Sequence, residues 1–146
     1  TIYVGSDDAN LHAIHASNGA TVWTFAAGAP IKSSPALSAD GRTIFIGSEN
    51  GMLHAVRTRD GREAWGYQAD GMIARSSPAM SASGNVVFVG STDHKLHAVW
   101  AVNGSRAWVY ETGGHVLSSP SISRDGQTIF VGSNDGRLHA VNCSWR

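Results

Sequence analysis

Short apolar runs, rich in β-branched and aromatic residues, are separated along this chain by polar turn residues at regular intervals. Thr43-Ile44-Phe45-Ile46 suits a strand, because branched and aromatic side chains pack well on a pleated surface. Ser48-Glu49-Asn50-Gly51 follows as a turn, with Asn-Gly ready for positive φ. Residues 52–58 read as a second strand, Asp60-Gly61 as a hairpin signal, and residues 63–68, with Trp65, as a third strand. A less regular stretch after Gly71 leads to a fourth strand over residues 76–81, and Ser83-Gly84-Asn85 turns the chain back. Over windows of about ten residues no apolar period of 3.6 is sustained, so no helix is predicted.

The unit repeats. Ile2-Tyr3-Val4-Gly5-Ser6 returns as Ile44-Phe45-Ile46-Gly47-Ser48, Val87-Phe88-Val89-Gly90-Ser91 and Ile129-Phe130-Val131-Gly132-Ser133, at spacings of 42, 43 and 42 residues. Leu-His-Ala keeps the same register at His12, His54, His97 and His139. Ser33-Ser34-Pro35 returns at Ser76 and Ser118, and Trp23 at Trp65 and Trp108. Four columns holding one register over three periods specify a repeat architecture.

Four short antiparallel strands in a period of this length make one propeller blade. The predicted fold is all-β, with about thirteen strands in four blades. The reading places a partial blade at 1–28, full blades at 29–71 and 72–113, and a partial blade at 114–146. Neighbouring blades would cover both faces of each inner sheet, which accounts for strands that do not alternate cleanly between apolar and polar. It also accounts for the abundance of small residues.

The string Gly-Ser, three residues, then Leu-His-Ala, followed by Asn-Gly or Asp-Gly and a Trp four residues beyond that Gly, resembles the pyrroloquinoline-quinone-like repeat, the tryptophan-docking blade. Gly19 to Trp23, Gly61 to Trp65 and Gly104 to Trp108 all keep the spacing. The family usually carries Tyr where this chain has His12, His54, His97 and His139. The resemblance covers residues 1–141 and implies that the Ser-Ser-Pro strand is innermost and the Trp strand outermost. The first blade would then lack its inner strand and the last its outer one, so the chain is expected to be a piece of a seven- or eight-bladed propeller of roughly 290–340 residues. Blades of this kind serve quinoprotein dehydrogenases, a bacterial outer-membrane assembly lipoprotein and secreted proteins.

Composition narrows the partners. The 146 residues carry 11 Lys plus Arg and 11 Asp plus Glu, for zero formal net charge. That balance argues against nucleic acid or an anionic membrane as the main partner, since both need clustered positive charge. Charged residues are 15% of the chain against about 25% in ordinary soluble domains, in keeping with sheets that face other sheets. No apolar run approaches the roughly 18 residues of a membrane span. The single cysteine, Cys143, excludes an internal disulfide framework.

The candidate chemistry is sparse. Equivalent histidines on sheets stacked roughly 10 Å apart point the same way and do not converge on one ion. His12, His54, His97 and His139 are therefore expected to be structural, standing in for Tyr and bonded within their blade interfaces. His15, His94 and His115 break the repeat and are expected on loops or outer strands, where one of them could touch a ligand. Trp23, Trp65 and Trp108 could form a sugar-binding set, but a large side chain with one N–H donor better suits burial between blades. Trp100 and Trp145 fall outside that column and are candidates for partner contacts. Cys143 has no evident base beside it. Asp7, Asp8 and Asp93 lie in turns that each offer too few oxygens for calcium. Asn103-Gly104-Ser105 and Asn142-Cys143-Ser144 match the glycosylation pattern.

Two function classes follow. One is a non-catalytic scaffold, extracytoplasmic, binding protein partners that include further blades or other subunits, with no cofactor. The other is a segment of a quinoprotein dehydrogenase, which would bring pyrroloquinoline quinone and calcium. The dehydrogenases add a catalytic Asp, calcium ligands and often adjacent cysteines. This chain has no Cys-Cys pair and minimal loops, so the scaffold is favoured.

Overall fold

The computed structural model describes residues 1–143. Fourteen strands form four antiparallel sheets in chain order, with no helix among the described residues. The first sheet is β1 (Ile2–Gly5), β2 (Asn10–Ile14) and β3 (Thr21–Ala26). The second is β4 (Ala36–Leu37), β5 (Thr43–Gly47), β6 (Met52–Arg57) and β7 (Glu63–Gln68). The third is β8 (Ala79–Met80), β9 (Val86–Gly90), β10 (Lys95–Trp100) and β11 (Arg106–Glu111). The fourth is β12 (Ser121–Ile122), β13 (Thr128–Ser133) and β14 (Arg137–Asn142). Each sheet is a simple meander with neighbouring strands paired in sequence order.

The expected count of about thirteen strands becomes fourteen. The inner strand is also far shorter than residues 76–81 suggested, pairing only at Ala79 and Met80. Its first residues do other work. Pro78 has no N–H for a ladder, the Ser76 hydroxyl accepts from Gly90 N–H (2.8 Å), and Ser77 N–H donates to the Ser119 hydroxyl (2.9 Å).

Side-chain direction explains the stacking. In β5, Phe45 points forward to the third sheet, while Ile44 and Ile46 point back to the first. Both faces are thus covered, and Ile44, Phe45, Ile46, Leu53 and Val56 are all essentially inaccessible. Three apolar clusters result, one at each junction between successive sheets. On the outward face of the fourth sheet, Phe130 is 37% and Leu138 74% exposed, whereas their counterparts Phe88 and Leu96 are fully buried between sheets.

Close approach sets some residue choices. A Cβ added to Gly47 would lie 2.1 Å from Ile73, on the connection that leads to the third sheet. The Gly of the repeated Gly-Ser pair is the space that this isoleucine occupies.

Candidate functional site

The residues singled out by the repeat gather at the junctions between sheets. Trp65 lies in β7 opposite Ala55 of β6, immediately before a register shift that leaves Ala64 unpaired. Its ring stands 5.7 Å from that of Phe45, and its Nε1–H donates to the Ala101 carbonyl of the third sheet (2.9 Å). The ring face lies against Gly104, where an added Cβ would sit 2.6 Å from Cε3. Trp23 repeats the arrangement, donating to Thr58 O (3.0 Å) and lying against Gly61. Trp108 packs beside Phe88 at 5.7 Å, with Cys143 in the same cluster. All three indoles are half-buried rather than largely buried. They sit on the strand at one edge of each sheet.

The four histidines form a second set. His97 on β10 is 2% exposed, and its Nε2–H donates to Asp93 Oδ2 (2.8 Å) in the β9–β10 turn. Nδ1 then accepts from the Tyr67 hydroxyl (2.8 Å), which reaches across from β7 of the preceding sheet. His139 repeats this with Asp135 (2.9 Å) and Tyr110 (3.2 Å). His12 bonds Asp8 (2.9 Å). His54 departs from the pattern. Its turn residue is Asn50 and the preceding aromatic is Phe25, whose ring packs edge-on at 5.2 Å without a hydroxyl. Nδ1–H of His54 donates instead to Glu63 (2.7 Å), while Nε2 pairs with the Ser48 hydroxyl (3.1 Å). Two changed partners are thus matched by one new carboxylate.

The partners of these histidines escaped the sequence reading, although a signal was present. Phe25, Tyr67 and Tyr110 each lie two residues after the repeated Trp. Asp8, Asp93 and Asp135 each stand four residues before the repeated His.

Burial holds the His97 imidazole below its ordinary pKa, outweighing the attraction of Asp93. Burial also raises Tyr67. The backbone N–H of Asn10 lowers Asp8, and that of Gly113 lowers Asp135. Burial pushes the Cys143 thiol up, away from the thiolate a nucleophile requires.

The off-repeat candidates are dispersed. His15 follows β2 and is exposed. His94 lies in the β9–β10 turn and His115 in the connection after β11, with ring centres 4.9 Å apart. Trp100 is 43% exposed and Val102 85%. They line an open cleft of about 530 Å³ together with Asp40 and Asn85. Asn103 is exposed in the β10–β11 turn, its Oδ1 accepting from Ser105 N–H (3.0 Å). Trp145 and Ser144 lie outside the described residues.

Among the described residues no group of three or more His, Cys, Asp or Glu is arranged to hold a metal. The turn carboxylates Asp8, Asp93 and Asp135 are each engaged by a histidine and by backbone N–H groups, so this donor set does not suit a quinone-bound calcium. No described helix is long and apolar enough to cross a membrane.

The sequence profile of the family described as outer membrane protein assembly factor BamB matches residues 7–144. The chain belongs to this family. Its fold is similar to the crystal structure of BamB from Moraxella catarrhalis, with a TM-score of 0.78 at 22% identity. That match covers 96% of this chain and 41% of the BamB chain, so the sequence spans less than half the length of that relative. No curated protein matches the chain. The sheets are therefore blades of a pyrroloquinoline-quinone-like β-propeller, four in succession.

Proposed function

We propose that this chain is part of a non-catalytic propeller scaffold that binds protein partners outside the cytoplasm, in the assembly of outer-membrane proteins. The observation that carries the reading is where the repeated polar side chains go. The repeated His and Ser side chains, and the indoles of Trp23 and Trp65, bond to neighbouring strands, turns or sheets, and the junctions consume them. Trp23 and Trp65 tie their sheets to the next through an indole N–H and a glycine-faced ring, and Trp108 fills the equivalent place. His12, His54, His97 and His139 fix their turns, and the last three also meet the preceding sheet through Phe25, Tyr67 and Tyr110. We assign blade limits at 28/29, 71/72 and 113/114, in the connections between sheets.

What remains for function is the variable rim, where Trp100 and Val102 stand out. The test is binding of the full-length protein to the purified outer-membrane assembly machinery. Saturable binding that weakens on Trp100→Ala supports the reading. Dye reduction on adding pyrroloquinoline quinone and calcium, with no such binding, would favour the dehydrogenase segment.

A further inference from the structure

We propose that His94 and His115 form an open, two-imidazole site for a divalent first-row transition-metal ion. The two histidines come from different elements and neither belongs to the repeat. His94 is the fourth residue of the β9–β10 turn, where the sister turns have Ala9, Gly51 and Gly136. His115 lies in the connection from the third sheet to the fourth, where the corresponding residues are Pro30 and Met72. Two departures from the repeat, 21 positions apart in sequence, are thus brought into contact by the fold.

The geometry suits a shared ion. Two imidazoles on one ion, with metal–nitrogen distances of about 2.0–2.1 Å and each ring centre roughly 1.1 Å behind its nitrogen, stand about 4.5–5.2 Å apart for bond angles of roughly 90–109°. The ring centres here are 4.9 Å apart, with planes at 68°. His115 is also oriented as metal-ligating histidines are. Its Nδ1–H donates to the Thr92 carbonyl (2.6 Å), which fixes the tautomer and leaves Nε2 as the ligating nitrogen.

Both main chains are anchored. Thr112 N–H and its hydroxyl donate to His94 O (2.8 and 3.0 Å), and Asn134 N–H donates to His115 O (2.9 Å). Both side chains are exposed, and the neighbouring Lys95 is already paired with Asp70 (3.3 Å). His94 carries a φ of 71°, where two sister turns use glycine, so a bulky ring is held in a left-handed conformation at some energetic cost. With two protein ligands the remaining positions are open to water or to a donor from a partner.

The test is calorimetric titration of the untagged protein with Cu²⁺, Ni²⁺ and Zn²⁺. We expect one equivalent bound, tightest for Cu²⁺. His94→Gly and His115→Ala should each weaken it by about tenfold or more, while His15→Ala leaves it unchanged. His94→Gly installs the residue that Gly51 and Gly136 supply in the sister turns, so loss of binding in that variant is not loss of folding. Electron paramagnetic resonance of the Cu²⁺ complex should show two imidazole nitrogens. Isotherms that are unchanged in the double variant, or a spectrum with a single nitrogen, would overturn the site.

Discussion

The Tyr67 hydroxyl donates to Nδ1 of His97 across the junction of the second and third sheets, at 2.8 Å. The imidazole is a relay between two blades and a turn, because its other nitrogen holds Asp93. Tyr67→Phe keeps the ring packing, with centres 5.6 Å apart, and removes the hydroxyl alone. It leaves Nδ1 buried without a donor, which costs about 1–3 kcal/mol. Urea denaturation of the two proteins measures this directly. In a double-mutant cycle with His97→Phe, the coupling between the two positions reports this bond, while His97→Phe alone also takes the Nε2–H donor from the buried Asp93 carboxylate.

Acid should weaken the same junction. Burial lowers the His97 pKa, so the unfolded chain takes up a proton at a higher pH than the folded one. The stability this contributes is fully present above the ordinary histidine value of about 6.5 and is lost as pH falls from there through the folded value. The slope from one such group is at most about 1.4 kcal/mol per pH unit. Denaturation curves between neutral pH and mild acid should show the decline. His97→Gln should flatten it, and an unchanged slope in that variant would place the titration elsewhere.

The two serines of Ser-Ser-Pro should separate in their effects. The Ser76 hydroxyl is buried and satisfies Gly90 N–H inside its own blade. The Ser77 hydroxyl accepts from Ser34 N–H (2.8 Å) in the preceding blade, at an exposed site where water can substitute. Ser76→Ala is expected to cost about 1–3 kcal/mol and Ser77→Ala about 0.5–1.5 kcal/mol or less. Thermal unfolding of the two single variants gives the ranking.

Most of the architecture could be read before any coordinates, because a repeated column reports a repeated environment. The bounds of β7 matched residues 63–68, since Asp60-Gly61 marks its start and the less regular stretch around Gly71 its end. The inner strand is shorter than its residues suggest because serine hydroxyls, not a ladder, hold the backbone there: Ser76 Oγ accepts from Gly90 N–H and Ser77 N–H donates to Ser119 Oγ. The pairing of Tyr67 with His97 was not legible, because register within a blade says nothing about which ring of the preceding blade lies opposite. His94 and His115 stood out as off-repeat residues. Their contact depends on how the connection after β11 crosses the β9–β10 turn, which no local pattern encodes.

Two glycines with the same backbone conformation should differ sharply in what an alanine costs. Gly84 and Gly104 have φ of 75° and 74°, so a Cβ strains both backbones alike, by about 1–2 kcal/mol. Around Gly84 nothing lies within 4 Å of the added Cβ. At Gly104 the Cβ would be 2.6 Å from the Trp65 ring, which is held in turn by Phe45 and by its bond to Ala101 O. Gly84→Ala should therefore cost only the conformational term. Gly104→Ala adds the overpacking of a close contact, a further 1–3 kcal/mol or about that. Trp65→Ala should cost about 3–5 kcal/mol, toward the lower end because the ring is half-buried. In the double variant with Trp65→Ala, the excess at Gly104 should vanish, since the ring it strikes is gone. Equal losses for Gly84→Ala and Gly104→Ala would mean that the indole does not press on the neighbouring blade.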